Sequence, residues 1–268
     1  MSLPKKIAQY AFLILFSLFS IFPLIWMAIA ATNQSIDVIR GKMIPGTYLI
    51  ENYKALVAQS ELWHAMGNSF KYSLVVTLLS LIVCSLAGYG FEIYHDKFKD
   101  GLMSVILLAM MVPFVATMIP LFGMMAKLGF LNTVAGFVLP SISTPFLIML
   151  FRQSARSFPH DIIEAARIDG LGEFQIFVRM FFPTMRSTYA AAMTITFMNA
   201  WNNYLWPKVI MNKPETQTMP MLVSNLTAGY VTDYGMLMLA VLFCTLPTVI
   251  IFFCLQKSFA EGITGAVK

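Results

Sequence analysis

The chain has 268 residues, 58% of them hydrophobic and only 12% charged, with a mean hydropathy of +0.73. Soluble domains carry about 25% charged residues, so an ordinary soluble globular protein is excluded. The net charge of +5 suits basic edges beside a membrane and calls for no nucleic-acid partner.

Six stretches of 20 residues or more contain no Asp, Glu, Lys or Arg: 7–36, 72–91, 101–126, 128–151, 187–207 and 234–256. A helix needs about 20 apolar residues to cross the hydrocarbon core. Six transmembrane helices are therefore predicted, in an all-α, multi-pass integral membrane protein whose first partner is the lipid bilayer. An even number places both termini on one side. Only Arg40, Lys42, Lys54, Lys71, Lys127, Lys208 and Lys213 fall on the other side, against eleven Lys and Arg beside the termini and the intervening loops. The positive-inside bias then puts both termini, the 92–100 loop and the 152–186 loop in the cytoplasm. The first run is long for a cleaved signal peptide and reads as an uncleaved span.

Span one, about 10–31, contains Pro23, and an external loop of about 32–67 follows. Span two, about 68–93, carries Ser80, Ser85, Ala87, Gly88 and Gly90, small residues that let membrane helices approach closely. Span three, about 102–126, holds Pro113 and Pro120; span four, about 134–150, holds Pro140 and Pro145. Proline removes a backbone bond and bends a helix, which fits helices curved around a pathway and fits ordinary bundle kinks as well. Cys84, Cys244 and Cys254 all lie in predicted spans. They form no disulfide or metal framework and read as small packing residues.

The 35-residue segment 152–186 is charged and set between uncharged runs. A long connection with structure of its own usually carries function. Pro159 can open a helix, and Asp161 and Glu164 complement its N-terminus. Ile162, Ala165, Ala166 and Asp169 then share one face of mostly apolar and very small side chains. Gly170 and Gly172 end this helix. A second helix, about 173–181, is apolar through Phe174, Phe177, Val178 and Phe181, and should lie at the membrane interface until Pro183 redirects the chain into span five. The Ala-Ala face is narrow enough to sit in another protein's cleft; a short interfacial helix without a partner is the plainer alternative.

Span five ends in NAWNNYLWP, 199–207. Trp201 and Trp206 fit a simple aromatic belt. Asn199, Asn202 and Asn203 are costly to leave unpaired in lipid, so they are candidates to face a polar interior or a subunit contact. An external loop of about 208–233 leads to span six, about 234–259, and to the tail EGITGAVK.

No G-x-x-x-x-G-K-[ST] phosphate loop, HExxH or GxSxG occurs, and His64, His95 and His160 sit in three different loops. No catalytic residue, metal site or resident cofactor is expected. The six uncharged runs contain no carboxylate or lysine, which disfavours proton- or sodium-coupled transport.

EAA at 164–166, glycine at 170 and proline at 183 resemble the loop EAA-x3-G-x9-I-x-LP of membrane subunits in binding-protein-dependent ABC importers. The chain departs from it with Met180 and Phe182, both still apolar. NSFKYSLVVTLLSLIVCSLAGYGF (68–91), WNNYLWPKVIMNKPETQTMP (201–220) and EGITGAVK (261–268) are similar to stretches of the MalG-like carbohydrate permeases.

The resemblance implies a type I ABC importer permease fold in a bacterial cell membrane. It divides the chain into a first helix with its external loop (1–67), a transmembrane core (68–260) with the coupling loop 152–186, and a cytoplasmic tail (261–268). It implies a subunit of an ATP-driven sugar importer, with a related second permease, two cytoplasmic ATPase subunits that bind ATP and Mg, and an extracytoplasmic sugar-binding protein. Glu164, Ala165, Ala166, Asp169, Gly170 and Pro183 become ATPase-coupling positions. Gly265, Ala266, Val267 and Lys268 become a possible ATPase contact. Asn199, Asn202 and Asn203 become candidates for lining the pathway. The competing readings are a solitary facilitator or secondary transporter, a permease for a polyol or glycerol phosphate, and a non-transporting assembly subunit.

Overall fold

The computed structural model describes residues 3–229 and 231–266. In chain order its α-helices are α1 Leu3–Ala30, α2 Ser35–Ile39, α3 Leu49–Gln59, α4 Leu62–Ile93, α5 Lys97–Ala109, α6 Phe114–Lys127 and α7 Val134–Val138. They continue with α8 Pro145–Ala155, α9 His160–Ile168, α10 Glu173–Ile176, α11 Phe182–Thr184, α12 Arg186–Trp201, α13 Leu205–Ile210, α14 Met219–Leu226 and α15 Tyr234–Ala266. Among the described residues there is no β-strand.

Among the described residues, three helices are long and apolar enough to cross a membrane: the parts of α1 from Lys5 and of α15 to Gln256, and all of α4. Two bent pairs raise the number to five if each is one span. α5 and α6 meet at 100°, and α7 with its 3-10 extension meets α8 at 49°. The prolines explain where these breaks fall. Pro113 immediately precedes α6 and Pro145 is the first residue of α8, positions where a missing N–H leaves no intrahelical bond unmade. Pro140 lies in the 3-10 turn Leu139–Ser141, whereas Pro120 sits inside α6 without interrupting it. The fifth uncharged run, 187–207, is shared between α12 and α13. At 1.5 Å per residue, the 16 residues of α12 reach about 24 Å, short of a hydrocarbon core of about 30 Å.

The chain divides into two compact units, 1–65 with 221–247, and 66–220 with 248–268. In the first, α1 is apolar around its whole circumference and almost wholly uncovered. Its C-terminal end is fixed by two buried amides. Asn52 donates to the carbonyls of Ala31 and Asn33, each at 2.9 Å, and Asn33 donates to those of Ile29 and Ile44, each at 3.0 Å. Buried amides are retained where they are bonded in this way. Gly235 lets α15 approach this knot, since a Cβ there would lie 2.4 Å from the Asn33 carbonyl oxygen.

The second unit is built on the crossing of α4 and α8. A Cβ on Gly88 would lie 2.6 Å from the Phe151 Cβ and 2.7 Å from the Arg152 nitrogen, so only glycine permits this approach. Leu81, Cys84, Met103, Leu147, Ile148, Phe151 and Ala192 fill the core around it. Cys84 packs there as expected from the sequence, whereas Cys254 is exposed.

At the end of this crossing, buried Arg152 donates to Glu92 at 3.1 Å and to Asp100 at 2.6 Å, and Arg156 shares Glu92 at 3.2 Å. These bonds bind the 92–100 turn to the start of the charged segment. α15 runs on to Ala266, past its expected end near Phe259, so most of the tail continues that helix.

Candidate functional site

The charged segment folds as a compact helical hairpin. α9 ends in a Schellman motif, in which the Gly170 N–H donates to the Arg167 carbonyl and the Leu171 N–H to the Ala166 carbonyl, each at 3.0 Å. The motif needs a left-handed residue, and Gly170 has φ +80°. A Cβ on Gly170 would meet nothing within 4 Å. The constraint is one of backbone conformation and leaves space beside it. Pro159 precedes α9 and does not open it, a one-residue difference from expectation. Beyond the turn, the Gly172 N–H donates to Gln175 Oε1 at 3.1 Å and starts α10.

A single core holds this hairpin. Ile163 and Ala166 of α9 pack with Ile176, Phe177, Phe181 and Met185 against Tyr89, Ala155 and Phe158. Tyr89 makes edge contacts with Phe177 and Phe181, with ring centroids at 5.3 and 4.9 Å. Such aromatic pairs add about 0.5–1.5 kcal/mol each beyond their burial. The expected single helix over 173–181 is instead α10 followed by a π turn, Phe177–Phe181, and then α11 with Pro183 near its start. An inserted residue in such a turn rotates the following side chains, and here both Phe177 and Phe181 reach the core while Phe174 stays 71% exposed.

The predicted face of α9 is therefore divided. Ala166 is buried against its own hairpin and Ile163 stands beside it. Glu164, Ala165, Asp169 and Gly170 are exposed, together with Ile168 at 86%. Ile163 escaped the sequence reading because Ile162 and Ile163 are adjacent and either can begin an i, i+3 face. Pro183 is exposed at the far end of the hairpin.

A polar tie holds the base of the turn. Arg167 donates to Glu173 Oε1 at 2.8 Å, and the Tyr94 hydroxyl donates to Glu173 Oε2. The Arg167 bond, with Tyr94 second, holds the Glu173 carboxyl below its usual range, and the same carboxylate raises Arg167. Sequence spacing shows the Arg167–Glu173 proximity across the glycine turn; Tyr94 is far away in sequence and carries no such signal.

Asn199, Asn202 and Asn203 all line one cavity of about 780 Å³, with Phe114, Phe137, Phe146, Ser141, Thr144, Thr196 and Tyr204 also in its wall. Trp206, in contrast, is buried and donates its indole N–H to the Gly136 carbonyl at 3.0 Å. It is a packing anchor within this unit. Trp201 is likewise buried, its ring 4.7 Å from that of Phe70. The simple aromatic belt does not describe either ring. Among the described residues, no group of His, Cys, Asp and Glu could hold a metal ion. Of the four tail positions, Gly265 and Ala266 close α15, and Val267 and Lys268 lie outside the described residues.

Residues 80–265 match the family described as binding-protein-dependent transport system inner membrane component. The chain is 46% identical over 262 residues to the lactose transport system permease protein LacG of Rhizobium radiobacter, covering 98% of this chain and 96% of that one. It is 33% identical over 269 residues to the arabinooligosaccharides transport system permease protein AraQ of Bacillus subtilis, covering 98% and 96%. Its fold is that of a chain in a bacterial ABC transporter involved in the import of the acidic polysaccharide alginate. The TM-score is 0.83 at 21% identity, covering 97% of this chain and 99% of that one.

Proposed function

This chain belongs to the family of binding-protein-dependent transport system inner membrane components, and from that premise we propose that it is a permease subunit of an ATP-driven oligosaccharide importer. The relatives named for lactose and for arabinooligosaccharides supply the substrate class. It is a multi-pass membrane protein of the bacterial cell membrane, with six spans and both termini in the cytoplasm; the bent pairs each count as one span and α12 as the fifth. The basic excess beside the termini supports that orientation. ATP and Mg are bound by two cytoplasmic ATPase subunits, a related permease completes the pathway, and a sugar-binding protein delivers substrate from outside.

The observation that carries this reading is the 159–184 hairpin. Its inner face is closed by its own core, and its outer face offers Glu164, Ala165, Ile168 and Asp169 beside the Gly170 turn. An exposed isoleucine flanked by carboxylates on a short, well-anchored helix is suited to a cleft in a partner. Ala166 serves this role from inside, since its small side chain lets α9 lie close to Tyr89 and Phe177, and Pro183 sets the exit toward α12. The tail 261–268 is a second, smaller contact with the ATPases. The divisions 1–67, 68–260 and 261–268 are functional segments of this scheme.

The mechanism follows from the anchoring. A force on α9 passes through Ile163 and Ala166 to Phe177 and Phe181, and through Ala155 to α8. α8 begins at the break beside the cavity, and α12 ends at its wall. Rigid packed elements transmit displacement because close-packed cores do not deform continuously. The test is uptake of labelled lactose and arabinotriose by host cells in which the chain is deleted and then restored. Restored uptake that needs ATP supports the proposal; uptake that persists in energy-depleted cells supports a solitary facilitator instead.

A further inference from the structure

Among the described residues, the lining of the 780 Å³ cavity contains no Asp, Glu, Lys, Arg or His. A charged ligand removed from water there would have no counter-charge, and isolated ions are far costlier to bury than hydroxyl groups that find partners. A sugar needs amide and hydroxyl partners around its rim and a flat apolar surface for its ring faces. The wall offers both, with Phe114 and Phe146 beside Asn199, Asn202 and Asn203. The Asn202 amide N–H donates to the Met198 carbonyl at 2.9 Å, and Asn203 Oδ1 accepts from the Trp206 backbone N–H at 3.4 Å. Each amide still has its other polar end for a ligand.

The backbone points the same way. One wall is the break between the 3-10 turn Leu139–Ser141 and α8, and the other is the turn after α12. Non-helical backbone at membrane depth is tolerated where it lines a cavity rather than lipid. The volume falls within the range of about 300–1,000 Å³ common to ligand sites.

We propose that this subunit contacts the transported sugar directly in this cavity, and that the uncharged lining makes it a filter that admits neutral oligosaccharides and rejects acidic ones. The inference rests on the oligosaccharide-import reading and adds a site and a selectivity to it. Asn199, Asn202 and Asn203 supply the polar contacts, and Phe114 and Phe146 supply the stacking surface.

The experiment uses the whole importer, purified with its partners and reconstituted in liposomes. Cys84, Cys244 and Cys254 are replaced by alanine, and the cavity is reported by Ser141→Cys reacting with a neutral maleimide. Lactose and arabinotriose are the neutral probes and digalacturonate the acidic one. The expected result is import of at least one neutral sugar, several-fold slower labelling in its presence, and no effect of digalacturonate. Asn202→Ala should raise the KM for that sugar about five- to tenfold with little change in kcat, the scale of one lost hydrogen bond.

Unchanged labelling by a sugar that the same complex imports would overturn the cavity as its site. Equal protection or import with digalacturonate would overturn the charge filter. A complex that imports none of the three removes the transport reading, and this proposal with it.

Discussion

Gly170 is the residue on which the candidate coupling site turns, and its surroundings make the consequence of changing it specific. Its left-handed φ of +80° is the only obstacle to a side chain, because a Cβ would meet nothing within 4 Å. A left-handed L-residue costs roughly 1–2 kcal/mol, little beside a folding stability of about 5–15 kcal/mol. Gly170→Val should therefore reach the membrane at near-normal amounts while the α9 turn is reset and uptake is lost. Immunoblotting of membranes beside a sugar-uptake assay checks both halves. Normal uptake by this variant removes the coupling role.

Arg152 presents the opposite case, since its side chain is only 6% exposed and satisfies Glu92 and Asp100 together. Its loss leaves Glu92 and Asp100 without their shared cation, though solvent screens Asp100, which is 42% exposed. Arg152→Ala should lower the thermal stability of the purified chain in detergent markedly. Lysine should restore only part of it, because a point charge does not reproduce the guanidinium fork.

At the level of elements, the hairpin 159–184 behaves as one packed unit. Phe181 is fully buried among Tyr89, Phe158 and Phe177. Phe181→Ala should cost about 3–5 kcal/mol and expose the hairpin to cleavage in limited proteolysis of inverted membrane vesicles.

The Glu173 tie adds a pH dependence of known sign. Its carboxyl is held below the ordinary range, mainly by Arg167, so its contribution is present above the unfolded value and lost as pH falls through the folded one. Wild-type vesicles should become more cleavable in the hairpin on acidification through the carboxylate range, whereas Glu173→Gln should be cleavable throughout. Because the tie is largely exposed, the effect should be small.

Much of this element was legible in the residues. EAA-x3-G and the Pro183 spacing mark the helix, its stop and its exit, because glycine and proline constrain the backbone locally. The register of α9 was not, since two adjacent isoleucines give equal helical faces and only the tertiary core selects Ile163 and Ala166. The π turn was equally hidden, as an i→i+5 turn leaves no signature in a run of apolar residues.

For the whole molecule, uncharged runs reveal membrane character because the bilayer penalises charge at every depth, whatever the fold. They do not reveal where a run bends. Pro113 and Pro145 mark breaks while Pro120 passes through α6 uninterrupted. The three asparagines converge on one cavity because α12 stops at Trp201 and the chain turns. Their cost in lipid pointed to a polar environment, but composition does not identify the partner elements at 137–147 across the cavity.

The central claim, that this chain couples to an ATPase through its hairpin, is tested most directly by affinity purification of the tagged chain from its native host in mild detergent, with mass spectrometry of what accompanies it. A second permease and a nucleotide-binding subunit should co-purify. The nucleotide-binding subunit should be lost when Glu164 and Gly170 are both substituted in a chain that remains folded. A wild-type chain recovered without any ATPase, under conditions that preserve other membrane complexes, would contradict the claim.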